Sequence, residues 1–178
     1  HGIIGDRAYG DDPDTIATLG RAAAEGLMAG GVLPVIKHIP GHGRARADSH
    51  EELPVVDARR KDLERDFAPF AVNADMPMGM TAHVVYTALD KDNPGTWSKK
   101  VIGQTIRKKI GFGGLLMTDD LSMKALGGAA APAASAGASA EPAASPAASG
   151  DAAAADAGVA GRTLEQAAAL QAWVGVSI

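Results

Sequence analysis

Apolar and polar positions alternate in blocks through the first two thirds of the chain, and their spacing switches between a strand period and a helix period. Ile16, Leu19, Ala23 and Leu27 recur at intervals of three and four behind Pro13-Asp14-Thr15, a helix start, and the run ends near Gly30-Gly31. Val32–Ile36 then reads as a short buried strand. Asp57 caps an expected second helix through Leu63, Phe67, Phe70 and Val72. The apolar run from Met78 to Val85 reads as a second buried strand. Ser98 is the expected N-cap of a helix built on Val101, Ile102, Ile106 and Ile110, with Lys and Arg late in the helix and Gly111 at its end. Gly114–Met117 supplies a third strand, stopping at Thr118-Asp119-Asp120. Strand, helix, strand, helix, strand at these spacings predicts an α/β fold with a parallel sheet.

After Gly128 the pattern stops. Residues 129–161 are rich in Ala with scattered Pro, Ser and Gly, a low-complexity composition without large core side chains. Residues 162–178 hold one short amphipathic helix on Leu164, Ala168, Leu170 and Trp173. The expected organisation is therefore a structured unit over 1–128, a low-complexity segment over 129–161 and a short helix over 162–178. The middle segment reads as divergence or a disrupted reading frame rather than as a linker. Because the chain begins at His1 and not Met, its native N-terminus is expected to be missing.

With 178 residues the chain has room for one domain with a real core. A net charge of -4 gives no basic footprint for nucleic acid or an anionic membrane. No apolar run reaches the length of a membrane span, and no signal peptide is visible. The absence of Cys excludes disulfides and thiolate metal sites and fits a cytoplasmic location.

The chemistry concentrates in Lys37-His38-Ile39-Pro40-Gly41-His42-Gly43 and, just beyond, Asp48-Ser49-His50. Three imidazoles, an ammonium and a carboxylate on a Pro- and Gly-punctuated segment behind a buried strand suit a pocket that holds or moves protons. Asp48 and His50 can hydrogen-bond on an irregular loop, the carboxylate fixing the imidazole tautomer, although a solvated turn is the simpler reading of the tripeptide alone. His38 and His42 share the four-residue spacing of zinc-binding histidines, but that spacing needs one helix face, and Pro40, Gly41 and Gly43 preclude a helix. No metal is expected, and metal binding stays a minor alternative. Asp119 and Asp120 close an apolar strand, and one can cap the following Leu121–Leu126 helix while the other faces a pocket. Arg7, in Gly5-Asp6-Arg7, is by itself unremarkable.

Taken together, these segments resemble family 3 glycoside hydrolases, specifically the bacterial β-N-acetylhexosaminidases of cell-wall recycling. The likeness rests on Ile4-Gly5-Asp6-Arg7, the run Lys37 to Gly43, and Asp48-Ser49-His50 leading into Leu53-Pro54. It continues through Met80-Thr81-Ala82-His83-Val84 and Leu116-Met117-Thr118-Asp119-Asp120-Leu121-Ser122-Met123. The resemblance implies a partial (β/α)8 TIM-type barrel with catalytic groups at the C-terminal strand ends. It implies Asp119 as nucleophile, His50 as general acid/base oriented by Asp48, and Arg7, Lys37 and His38 as groups that hold sugar hydroxyls. It further implies a retaining reaction without cofactor or metal, on a small carbohydrate such as the muropeptide-derived disaccharide of N-acetylglucosamine and anhydro-N-acetylmuramic acid. The enzyme would be a cytoplasmic monomer with no nucleic-acid or membrane partner. Two alternatives stay open: phosphorolysis at the same site, since a neutral His does not repel phosphate, and an inactive truncated or frame-disrupted fragment. The family barrel begins before His1 and continues after Gly128, so the isolated chain is expected to be poorly stable and weakly active at best. His83 is expected to face the pocket; neither it nor His42 is given a role.

Overall fold

The computed structural model describes residues 5–127 and 175–177. A single 3-10 turn, Gly5–Arg7, precedes helix α1 (Pro13–Ala29). The Asp12 carboxylate accepts the Thr15 N–H and hydroxyl, each at 2.8 Å, and Pro13 supplies the first turn without needing an amide partner. α1 stops at Gly30, as expected, and its small buried residues Ala17, Gly20 and Ala24 allow close packing against helix α2 (Arg60–Val72). The fully buried Asn73 amide joins the two helices, donating to Ala17 O at 3.2 Å and Pro69 O at 2.9 Å.

Strand β1 (Val35–Ile39) begins three residues later than the expected Val32–Ile36. Leu33 is 62% exposed and Pro34 has no amide hydrogen for a ladder, so the chain enters the sheet only beyond them. Lys37 and His38 therefore belong to the strand rather than to the loop after it. β1 pairs in parallel with β3 (Met78–Thr81), and β3 in parallel with β5 (Leu115–Met117). The fourth strand, β6 (Gly175–Ser177), lies parallel to β1 on its other side, giving the order β5-β3-β1-β6. Residues 129–161 and 162–174 lie outside the described residues. Of the short helix expected over 162–178, the described part, Gly175–Ser177, is strand instead.

The expected continuous strand from Met78 to Val85 is divided. Ala82 N–H bonds to Ile39 O at 2.9 Å and Val84 O accepts Gly95 N–H at 2.8 Å, which draws the chain out of the main sheet after Thr81. Val85–Tyr86 then forms β4 and pairs in parallel with β2 (Val55–Val56). Asp57 does not cap α2: Arg59 occupies that position without a side-chain bond, and Asp57 accepts the Thr87 hydroxyl at 2.7 Å, bracing this second sheet.

The helical run at Val101–Ile110 is a π-helix rather than an α-helix. Ser98 does cap the helical run, which already includes residues 99 and 100; its hydroxyl accepts Val101 N–H at 3.0 Å and donates to Asp90 at 2.7 Å. Gly111, at φ 82°, ends it in the left-handed region. Between helices and sheet lies a core of Ile36, Ile39, Leu63, Phe70, Tyr86, Ile106 and Phe112. The central strand is tightly fitted: a Cβ at Gly79 would lie 2.7 Å from Ile39 Cδ1 and 2.8 Å from Phe112 Cζ. After β5 a tight turn leads into the four-residue helix α3 (Lys124–Gly127).

Candidate active site

In a parallel sheet all strands end on one side, and here that side gathers the polar groups of the apolar core strands. The pairing of β1 with β3 slips between Lys37 and Ile39. Alternation alone would put Lys37 and His38 on opposite faces, and the bulge lets both reach one cleft. The peptides Lys37–His38 and Ile39–Pro40 are cis.

The loop after β1 is held from beneath and from the side. The buried Tyr86 hydroxyl donates to Gly41 O at 2.7 Å, and the Arg44 guanidinium forks onto Asp66 at 2.5 and 3.0 Å. Beyond it, Asp48 opens a turn: its Oδ1 accepts both the His50 N–H at 2.9 Å and the His50 Nδ1 at 2.8 Å. The Ser49 carbonyl accepts Ala125 N–H at 3.2 Å, joining this turn to α3. At the end of β5, Asp120 caps the turn through Ser122 N–H and Oγ at 2.8 and 2.7 Å, while Asp119 faces the cleft.

Arg7, Lys37, His38, Asp48, His50 and Asp119, the six side chains to which the family resemblance gives roles, line this cleft together with His42 and Ser49. Asp119 Oδ1 accepts the Asp120 N–H at 2.9 Å, and its Oδ2 lies 3.4 Å from His38 Nε2, an electrostatic contact longer than a good hydrogen bond. Burial by itself would raise the Asp119 carboxyl. The facing His38 imidazole, the Asp120 N–H and the nearby His83 outweigh it and hold the group well below the usual carboxylate range. For His38 the largest influence is burial, which lowers its proton affinity against the opposing pull of Asp119. Lys37 is likewise lowered by burial, with Asp119 opposing. Asp48 is pulled down first by the His50 backbone N–H and then by the His50 ring. An ionised Asp48 accepts the hydrogen bond of His50 Nδ1–H, so in the neutral ring Nε2 is the nitrogen without a proton.

His42 is 5% exposed, its Nδ1 has no partner, and its ring stands 5.6 Å from that of His38. Burial, reinforced by the charge of His38, pushes it down to about 4 from 6.5. Between those values the unfolded chain binds the proton that the folded chain refuses, so stability is complete above about pH 6.5 and falls as pH drops toward 4. The expected loss is about 3 kcal/mol across that window. Urea unfolding at pH 7 and pH 4 should show this acid loss in the wild type and a correspondingly smaller one in His42→Gln.

His83 does not face the cleft. It is 1% exposed and lies behind it, bonded to Thr96 Oγ1 at 2.7 Å and to Asp120 O at 3.0 Å. The loop supports Tyr86 and Arg44 also went unread in the sequence; an aromatic hydroxyl inside an apolar run was the available signal for the first. Among the described residues no group of three or more His, Asp or Glu is placed to hold a metal ion. No helix among them is long and apolar enough to cross a membrane.

A strand-end carboxylate is faced by an imidazole and an ammonium two strands away, with an exposed Asp-His pair alongside, and together they line one polar cleft. Residues 1–142 match the glycosyl hydrolase family 3 N-terminal domain, and the chain belongs to that family. It is 40% identical over 130 residues to the β-hexosaminidase of Chromobacterium violaceum, covering 71% of this chain and 36% of that protein. A family 3 β-N-acetylglucosaminidase from Paenibacillus superposes with a TM-score of 0.67 at 38% identity, over 70% of this chain and 24% of its own. NagZ from Neisseria gonorrhoeae, solved in complex with N-trifluoroacetyl-D-glucosamine, gives 0.63 at 38% identity, over 67% and 36%. The chain spans about a third of the length of the curated relatives it matches. Its parallel sheet and flanking helices are accordingly part of the TIM-barrel-type fold of that domain.

Proposed function

We propose that this chain carries the catalytic strand ends of a retaining β-N-acetylglucosaminidase. The observation that carries the reading is the shared cleft of Asp119, with one oxygen tied to Asp120 N–H, and the Asp48–His50 pair. In the first step Asp119 Oδ2 attacks the anomeric carbon, the glycosidic C–O bond breaks, and the leaving oxygen takes the proton of an imidazolium at His50 Nε2. In the second, the now neutral Nε2 takes a proton from water as that water displaces the Asp119 carboxylate, giving net retention. An ionised Asp48 stabilises the imidazolium and fixes its orientation. Arg7, Lys37 and His38 hold the sugar hydroxyls, the neutral His38 ring also presenting its Nε2–H toward Asp119. The names of the relatives support a terminal β-linked N-acetylglucosamine as the sugar cleaved. The muropeptide-derived disaccharide is the proposed natural substrate.

The test uses a chimera in which residues 5–127 replace the matching stretch of the Chromobacterium violaceum β-hexosaminidase. Incubated with a 5-fluoro glycosyl fluoride of N-acetylglucosamine, it should trap a covalent adduct that peptide mass spectrometry finds on Asp119. Turnover of a p-nitrophenyl substrate with the adduct on another residue would remove the nucleophile assignment. N-acetylglucosamine 1-phosphate as the main product in phosphate buffer would replace hydrolysis by phosphorolysis.

A further inference from the structure

His83 ends a chain of buried polar groups with no opening to the cleft. Thr81, Thr96 and His83 are exposed by 2%, 6% and 1%. Thr81 Oγ1 lies 2.9 Å from Thr96 Oγ1, Thr96 Oγ1 lies 2.7 Å from His83 Nδ1, and His83 Nε2 lies 3.0 Å from Asp120 O. Buried hydroxyls and imidazoles in a core are costly unless every one is paired. Here all of them are paired, and the last bond in the chain is made to the residue after the proposed nucleophile.

We propose that His83 is a positioning residue for the nucleophile, its Nε2–H fixing the Asp120 carbonyl and, through Asp120, the orientation of the Asp119 carboxylate. The inference rests on the glycosidase reading for its role, but its geometry stands alone. A carbonyl oxygen only accepts, so the proton is on Nε2. With a neutral ring, Nδ1 accepts the Thr96 hydroxyl and Thr96 accepts the Thr81 hydroxyl. With a cationic ring, Nδ1–H donates to Thr96 Oγ1, and the Thr96 proton turns to Ala82 O, which lies at 3.2 Å. The Nε2–H stays on Asp120 in both arrangements, and neither leaves the ring unpaired. That is the arrangement of a holding group, not of a proton carrier.

Asp120 is thus pinned at its carbonyl by His83 and at its carboxylate by Ser122. Its N–H is left aimed at Asp119 Oδ1, at 2.9 Å. With Oδ1 held, rotation of the carboxyl is blocked and Oδ2 is presented to the cleft. Loss of the His83 donor frees the Asp119-Asp120 turn, and a misplacement of about 1 Å in a reacting group costs on the order of 10²-fold in rate.

Two arms test this. In the 178-residue chain labelled with nitrogen-15 and carbon-13, ring-nitrogen NMR at pH 7.5 should place a proton on His83 Nε2 with a coupling across the hydrogen bond to the Asp120 carbonyl carbon. A proton on Nδ1 alone overturns the proposal whatever the activity. In the chimera, His83→Phe should lower kcat by on the order of 10²-fold with KM within about twofold, and should shift the acid limb of the rate profile upward as Asp119 loses its donor. His83→Gln, whose amide reaches Asp120 O while its oxygen takes the Thr96 hydroxyl, should retain kcat within about tenfold. Wild-type kcat and pH profile in His83→Phe overturn the proposal. Should the Phe variant fail to fold, His83→Asn decides, because its shorter amide satisfies Thr96 but not Asp120. Equal losses in Asn and Gln then overturn it. An inactive chimera with wild-type His83 counts against the glycosidase reading, and the NMR arm still decides the contact.

Discussion

Replacing Asp119 by Asn should remove turnover of p-nitrophenyl β-N-acetylglucosaminide in the chimera by on the order of 10⁴-fold, the scale of loss when one member of a catalytic unit is deleted. The amide matches the carboxylate in size and keeps the Asp120 N–H as a partner, so the fold is spared and only the nucleophilic charge is lost. Because the Asp119 carboxyl is held well below the usual carboxylate range, it is ionised in the folded protein throughout neutral and mildly acidic pH. The Asn variant should therefore show the same fractional loss at pH 5 and pH 8. Added azide, standing where the carboxylate stood, should restore turnover and give the glycosyl azide of inverted, α configuration. An Asn variant within a hundredfold of wild type would end the proposal of a covalent step at this residue.

His50→Ala should fall by about 10² to 10⁴-fold, the range of general acid/base catalysis, but unevenly across substrates. A dinitrophenyl leaving group needs little protonation, so its departure should stay fast while hydrolysis of the glycosyl-enzyme becomes slow. The signature is a burst of dinitrophenol equal to the enzyme present, followed by a slow steady state. Azide here attacks the intermediate, needs no proton removed, and should yield the β azide. Opposite azide anomers from the two variants would separate nucleophile from acid/base without reference to rate. The absence of a burst in His50→Ala, with equal losses for phenols of high and low acidity, would argue that another group moves the proton.

The fold class and the polar cluster of Lys37, His38, Asp48, His50 and Asp119 were legible in local patterns, whereas Arg7 entered only through the family resemblance. Helix α1 carries its own start and stop in Pro13-Asp14-Thr15 and Gly30, although its cap, Asp12, was not read, and Ser98 and Gly111 bracket the later helical run; tertiary contacts do not need to decide these. The strand limits were less legible. Val32–Leu33 is apolar like the strand that follows, and only the position of Pro34 separates them. The division of Met78–Val85 depends on bonds from Ile39, Pro54 and Gly95, none of which is near in sequence. The π geometry of Val101–Ile110 leaves no mark on an apolar spacing that suits an α-helix equally. His83 was misplaced for the same kind of reason. Its partners Thr96 and Asp120 are 13 and 37 residues away, and strand alternation alone cannot tell a cleft-facing imidazole from one sealed behind it.

The two halves of the chemistry differ in what each requires of the chain. The Asp48–His50 contact spans two residues, closes within one turn, and can form before any sheet exists. The approach of Asp119 to His38 spans 81 residues and exists only when β1, β3 and β5 have assembled in register. A chain frayed at its outermost strand would keep its proton-transfer pair and lose its nucleophile. Covalent labelling of Asp119 is thus also a count of correctly folded molecules, and detection of the Asp48–His50 contact is not.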